Sequence, residues 1–327
     1  MNRGVLARLV LGAAVLSALA LGAAGCAPLA EWTAPAKRAS AARTPLAARA
    51  DELFWRVLHT GAYERIPEAL AALKAAYVAD PHDAVTAAHI GFLHIWRLSE
   101  RTRLPGAGGA EITDHAALGR KYFEEAVRLD PGDARYLGFY AGLLMSEGSI
   151  HKDDKLMRRG FFTLQDAVAA WPEFNLFTAG FVAGFQPHDS AMFRRGLDAM
   201  WRNADICAGE PLDRANPDYA RYMRRETREG PQRVCWNSWI APHNFEGFFL
   251  HFGDMLVKAG EPERAVIMYG NARLTPDFTT WPYQDVLEAR IVDAARNVAV
   301  FREKDPPADA PLMMVRSRYA CTGCHQQ

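Results

Sequence analysis

Residues 246–278 read EGFFLHFGDMLVKAGEPERAVIMYGNARLTPDF, and two consecutive helices are written into them. Phe249, Phe252, Gly253 and Leu256 recur at intervals of three and four, which puts them on one face of a first helix. In the second, Ala265 is followed by Tyr269, Ala272 and Pro276. The same order of small residue, large apolar residue, alanine and proline occurs upstream. It reads Ala69, Leu73, Ala76, Pro81, then Gly119, Phe123, Ala126, Pro131, then Gly160, Leu164, Ala167, Pro172. Each copy predicts a helix whose small residues admit a close neighbour and whose proline ends it. Strand signals are weak throughout, so the chain reads as all-α.

This order resembles the second helix of the tetratricopeptide repeat. The pairs Ile90-Gly91, Leu137-Gly138 and Phe252-Gly253 resemble the close-packing step of that family's first helix, and Leu53 and Val57 begin an upstream unit without the glycine. The resemblance covers roughly two thirds of residues 50–280. It implies a tetratricopeptide-like solenoid over residues 49–282, closed by a capping helix over 283–303 (Tyr283, Val286, Leu287, Ala289, Ile291, Val292, Ala295, Val298). Segments 99–114, 146–157 and 203–242 break the period and read as irregular insertions, which in solenoids gather on one face. The last of these carries Arg221, Arg224, Arg225 and Arg228, whose spacing suits either a docking surface or a solvated helix face, together with Trp236 and Trp239.

The chain ends Cys321-Thr322-Gly323-Cys324-His325-Gln326-Gln327, and C-x-x-C-H is the attachment signature of c-type haem. Two thiols add to the two vinyl groups of one porphyrin, and the following imidazole ligates the iron. Zinc would need a second close Cys or His pair, and a thioredoxin-like thiol pair would need a βαβ context; the sequence offers neither. The expectation is one covalent haem c on a short tail, residues 304–327, held by Cys321 and Cys324 with His325 as proximal ligand.

Residues 1–25 have the form of a secretory signal: Arg3 and Arg8 precede an apolar stretch from Val10 to Gly22, then Ala23-Ala24-Gly25. Cys26 after Ala-Gly resembles a bacterial lipobox, although Ala23 stands where the family prefers Leu. The resemblance implies lipidation of Cys26. Ala27, in place of the aspartate of inner-membrane retention, implies a lipid anchor on the periplasmic side of the outer membrane. Residues 26–48, poor in large apolar groups, read as a flexible tether. Of five cysteines, Cys207 and Cys235 remain, and an oxidising compartment allows them to pair. Closing that loop would contribute roughly 3 kcal/mol.

Lys plus Arg and Asp plus Glu balance at 38 each, which leaves no electrostatic case for nucleic acid as a partner. The C-terminal motif is also similar to that of four-helix cytochromes of the c-prime type, and Arg318 suits that look. Yet the chain is far longer than such a bundle, and its proline-ended repeats have no place in one. Too few residues follow 304 to wrap a porphyrin, so the repeats or a partner must bury the haem.

A sixth iron ligand could come from ten histidines or ten methionines. His89 and His251 each fall two residues before the close-packing glycine, a position that by family resemblance faces the concave groove. His243 is a loop candidate, His94 reads as a core residue, and Met313 and Met314 read as pocket wall. Three functional readings follow. The first is an electron-transfer lipoprotein whose repeat surface selects an envelope redox protein. The second is an envelope assembly scaffold with a structural or sensory haem. The third, an enzyme with an open iron site, has the least support, because no acid–base pair accompanies the motif.

Overall fold

The computed structural model describes residues 26–103, 109–236 and 245–304, and beyond them 307, 310, 311 and 313. Its contacts divide the chain into two units, residues 1–38 and 39–327. The first contains helix α1 (Cys26–Thr33), whose Leu29 and Trp32 are exposed. An eight-residue helix thus opens the stretch that composition alone assigned to a flexible tether.

The second unit holds α2 (Pro45–His59), α3 (Ile66–Ala79), α4 (Ala84–Ser99), α5 (Gly109–Leu129), α6 (Ala134–His151), α7 (Asp154–Ala170), α8 (Pro172–Ala183), α9 (Ala191–Ala208), α10 (Glu246–Ala259), α11 (Pro262–Gly270), α12 (Gln284–Val292) and α13 (Ala294–Arg302). No strand occurs among the described residues, and the protein is all-α. From α2 to α9 each helix packs on the next, as does α10 on α11. Several connections are a few residues long, which folds the helices they join into hairpins.

Two of the turns repeat a device. In Asp80-Pro81-His82-Asp83 and Asp130-Pro131-Gly132-Asp133 the first aspartate accepts from the backbone N–H two residues on, at 3.0 and 3.2 Å. The second aspartate caps the next helix: Asp83 accepts from the N–H groups of Val85 and Thr86, and Asp133 from that of Arg135. Each carboxylate satisfies helix-start donors and sits at the positive end of the helix dipole.

The small-and-large order marks the buried faces. Ala69, Leu73 and Ala76 are buried in α3, Phe123 and Ala126 in α5, Leu164 and Ala167 in α7, and Ala265 and Tyr269 in α11. Glycines on the preceding helices receive the large residues. A Cβ on Gly91 would lie 2.6 Å from the Phe123 ring, and one on Gly253 would lie 2.2 Å from Tyr269. Gly138 makes room instead for Asn175, which is wholly buried and donates to the carbonyls of Ala134 and Ala167, each at 3.0 Å. Tyr269 is fixed at its far end, where its hydroxyl donates to Asp254 at 2.6 Å. Asp254 also accepts from Arg290 at 3.1 Å, so one buried ion pair joins α10, α11 and α12.

Several boundaries differ from the sequence reading. The helical unit begins at Pro45, not 49, because Thr44 caps α2 by accepting from the N–H of Ala47. Segment 146–157 is no insertion: α6 and α7 run through it, and Lys152 takes the left-handed conformation (φ 57°) that closes α6. The 283–303 helix is two, broken at Asp293. In segment 99–114, α5 already starts at Gly109. In 203–242, α9 continues to Ala208 and residues 209–236 form a folded loop with its own buried side chains, Tyr219, Tyr222, Val234 and Trp236. Asn271 pins that loop to α11, accepting from the N–H of Tyr219 and donating to the carbonyl of Pro217.

Gly253→Ala is expected to lower stability by about 1–3 kcal/mol, because the anchored Tyr269 cannot withdraw from the added methyl. Gly142→Ala, in α6 with nothing near the added carbon, should raise it by about 0.5–1 kcal/mol. Urea unfolding of the two variants measures both; equal effects would mean that the glycine at 253 is not there for close approach.

Candidate functional site

Cys321, Cys324, His325, His243 and Met314 lie outside the described residues, as does the leader, residues 1–25. Cys26 opens α1. Among the described residues no helix is long and apolar enough to cross a membrane, and no three His, Cys, Asp or Glu side chains converge as a metal site.

Cys207 and Cys235 form a disulfide with Cα atoms 5.4 Å apart, and both are fully buried. The bond ties the last turn of α9 to the end of the 209–236 loop. A closed loop with a sequence separation of 28 restrains the unfolded chain by about 3–4 kcal/mol. Trp236 donates its indole N–H to the carbonyl of Cys207 at 2.8 Å, and its ring stacks with Tyr222. The arginine run does not form a helix face. Residues 220–224 are turns, Arg221 and Arg225 lie over the Tyr222 ring at 4.8 and 4.7 Å, and Arg225 also donates to the carbonyl of Ala208. Those two cations hold the loop closed.

His89 and His251 occupy matching places. Each stands two residues before the glycine that receives the next helix, and successive residues turn about 100° around a helix, so each imidazole is carried to the far side. There each meets a phenylalanine. His89 stacks on Phe54 of α2 at 4.1 Å between centroids, and His251 lies 4.4 Å from Phe181 of α8.

Their electrostatic surroundings differ. His89 Nδ1 is 2.5 Å from an Asp51 carboxylate oxygen, and Asp51 is also paired with Arg43 at 3.2 Å. Burial works to raise the Asp51 pKa, but His89 and Arg43 together hold it below the usual carboxylate range. His251 has no such neighbour. It is completely buried, and among the described residues neither ring nitrogen has a hydrogen-bond partner. Leaving such a group unsatisfied costs about 1–3 kcal/mol. Burial first, and the Lys258 charge second, push its pKa down to about 3. Lys258 itself donates to the carbonyl of Gly184 at 3.1 Å. A Cβ on Gly184 would stand 3.2–3.3 Å from His251 Cε1 and Nε2 and 3.2 Å from the Phe181 carbonyl, so glycine lets the backbone close tightly on the ring.

His94 is a core residue, with Nδ1 2.9 Å from Nδ1 of His115. Burial, then the charges of His115 and Lys74, lower its pKa to about 3.

Sequence reading missed the wall facing His251. Phe174, Phe177, Phe181 and Phe185 follow helical spacing along α8 and its end, a stripe visible in the chain once it is sought. Phe174 and Phe181 are buried, whereas Phe177 and Phe185 are half-buried. Phe177 contacts Phe248 of α10, and Phe185 lies 6.0 Å from His251. Met313 is buried in the same apolar core as Phe248, Phe249 and Phe252, with Phe177 and Phe185 packed against it. An imidazole is an iron donor, but that of His251 is completely enclosed, and the arrangement leaves no room beside it for a porphyrin. No family model, curated protein or solved structure matches the chain.

The buried imidazoles of His94 and His251 set a pH dependence. Unfolded histidine binds its proton near pH 6.5, while these two bind theirs near 3, so the unfolded state takes up more protons between those values. Stability should fall as pH drops from 7 to 5, by about 2 kcal/mol for each histidine. Urea unfolding at both pH values checks this, and His94→Leu should remove about half of the loss. A profile that His94→Leu leaves unaltered would contradict it.

Proposed function

We propose that the chain is a membrane-anchored periplasmic mono-haem c-type cytochrome. It carries its haem on a C-terminal tail beside a tetratricopeptide-like helical array and passes electrons to or from an envelope redox protein. The observation that carries this reading is the terminal C-x-x-C-H of an otherwise cysteine-poor chain. Cys321 and Cys324 hold the porphyrin by thioether bonds, and His325 supplies the proximal imidazole. When bound, haem c supplies a one-electron iron couple whose potential follows its axial ligands and its burial.

Further features support the same reading. A buried disulfide between Cys207 and Cys235 suits an oxidising compartment, which is also where haem c is attached. Exposed Leu29 and Trp32, on the helix that starts at Cys26, suit a lipid-anchored segment lying at a membrane interface. Recurrent glycine-to-ring packing at Gly91–Phe123 and Gly253–Tyr269 supports the tetratricopeptide-like array over a generic helical fold.

Expression in a host that attaches haem c, followed by haem staining of a denaturing gel, tests the proposal. The wild type should stain, and Cys324→Ser should lose most of the signal. Truncation after Ala320 should lose all of it while the helical circular dichroism persists. Cys26→Ala should move the holoprotein from the outer-membrane fraction to the soluble periplasm. An unstained wild type would overturn the cytochrome reading, and a variant that still pellets with membranes would overturn the anchor.

A further inference from the structure

We infer that the outward face of α7, with Phe162 among Lys152, Lys155 and Arg158, is a second membrane contact whose partner is the anionic headgroup layer of a lipid bilayer. This assignment rests on the membrane-anchor part of the reading above and does not depend on the haem.

α7 gives its inner side to α6. A Cβ on Gly160 would lie 2.6 Å from the Met145 side chain and 2.8 Å from the carbonyl oxygen of Ala141, and one on Gly148 would lie 2.9 Å from the backbone nitrogen of Met157. With that side closed, Lys155, Arg158 and Phe162, at intervals of three and four, share the opposite face. Phe162 is 61 % exposed. Among the described residues Trp32 of α1 is the only other exposed phenylalanine, tyrosine or tryptophan; every other such ring is buried or half-buried. Ile150 and Met157, also exposed, flank the turn between α6 and α7.

The charges around the ring point to a lipid surface. Lys152, Lys155 and Arg158 are exposed and have no ion-pair partner among the described residues. Most nearby acids are occupied. Asp153 accepts from the N–H groups of Lys155 and Leu156, Glu147 pairs with Arg120, and Glu124 pairs with Arg120 and Arg159. Arg159 is also drawn over the Tyr140 ring at 5.7 Å. Asp154 at the start of α7 and Asp166 one turn past Phe162 remain, so three free cations outnumber two acids.

An aromatic ring among long cationic side chains suits a bilayer interface: the charged heads stay at phosphate depth while the ring enters beneath them. A protein partner would call for a broader surface, about 800 Å² a side, with an apolar centre depleted in lysine. One ring with two partly covered apolar neighbours does not supply that centre.

The test uses the full mature chain carrying Cys26→Ala and Trp32→Ser. These changes remove the acyl group and the exposed ring of α1, so α7 is read by itself. Flotation is measured with vesicles of phosphatidylethanolamine and phosphatidylglycerol, and circular dichroism is recorded for each variant. This parent should float at low salt, be released at high salt, and ignore vesicles of phosphatidylcholine alone. Adding Lys155→Gln with Arg158→Gln should weaken binding about 25-fold, from about five-fold for each cation. Phe162→Ser should weaken it about five- to ten-fold. Val78→Ser, at an exposed position of α3, should bind as the parent does. A parent that does not float would overturn the assignment, as would altered chains at 155, 158 and 162 that float as well as the parent. Capture of an envelope protein through Phe162, with no binding to vesicles, would overturn it too. The anchor is read separately, from the mass of the Cys26 peptide of the wild type: an unmodified Cys26 removes the anchor reading, whatever the vesicles show.

Discussion

The contact between Gly253 and the ring of Tyr269 sets most of what surrounds it. A Cβ at 253 would fall 2.2 Å from that ring, so only glycine lets α10 and α11 close to this separation. The ring cannot give way, because its hydroxyl is bonded to Asp254, which in turn binds Arg290. A buried carboxylate without its partners would be costly, so α12 is drawn in to complete the group. Gly91 and Phe123 repeat the approach between α4 and α5. Side chains two residues before each glycine are sent to the opposite face, and both are histidines.

From that shared register the two imidazoles diverge by their neighbours alone. Around His89 the chain places Asp51 and then Arg43, which also reaches Asp83, the cap of α4. Charge there is compensated and the ring is locked in a network. Around His251 it places Phe181, Phe185 and a glycine. No carboxylate answers the ring, and desolvation keeps it neutral. One position in a recurring glycine step can thus be locked into a charged network in one copy and left without a partner in another.

How much of this the sequence displayed follows the same division. Glycine, ring and alanine spacing is a property of single helices and of the pairs next to each other, so the all-α architecture and the paired faces could be read from it. The N-caps at Asp83 and Asp133 are equally local, written in a repeated Asp-Pro-x-Asp. What could not be read depends on distant partners or on unusual backbone. Lys152 ends α6 with a left-handed conformation that no glycine or asparagine announces. The arginines at 221 and 225 look like a helix face by spacing, but Tyr222 and the carbonyl of Ala208 claim them. His251 was visible as a position; its lack of partners was not, because that depends on α8 lying against α10.

Cys321, Cys324 and His325 lie within five residues of one another, and on the cytochrome reading proposed above they would fix where a porphyrin is bonded. The rings around His251 come from α8 and its end. α10 is fixed on two sides: by the Tyr269–Asp254–Arg290 group, and by Arg302, which donates to the carbonyls of Lys258 and Ala259 at its end. A buried imidazole without a partner costs about 1–3 kcal/mol, and the packing of α10 against its neighbours offsets that cost.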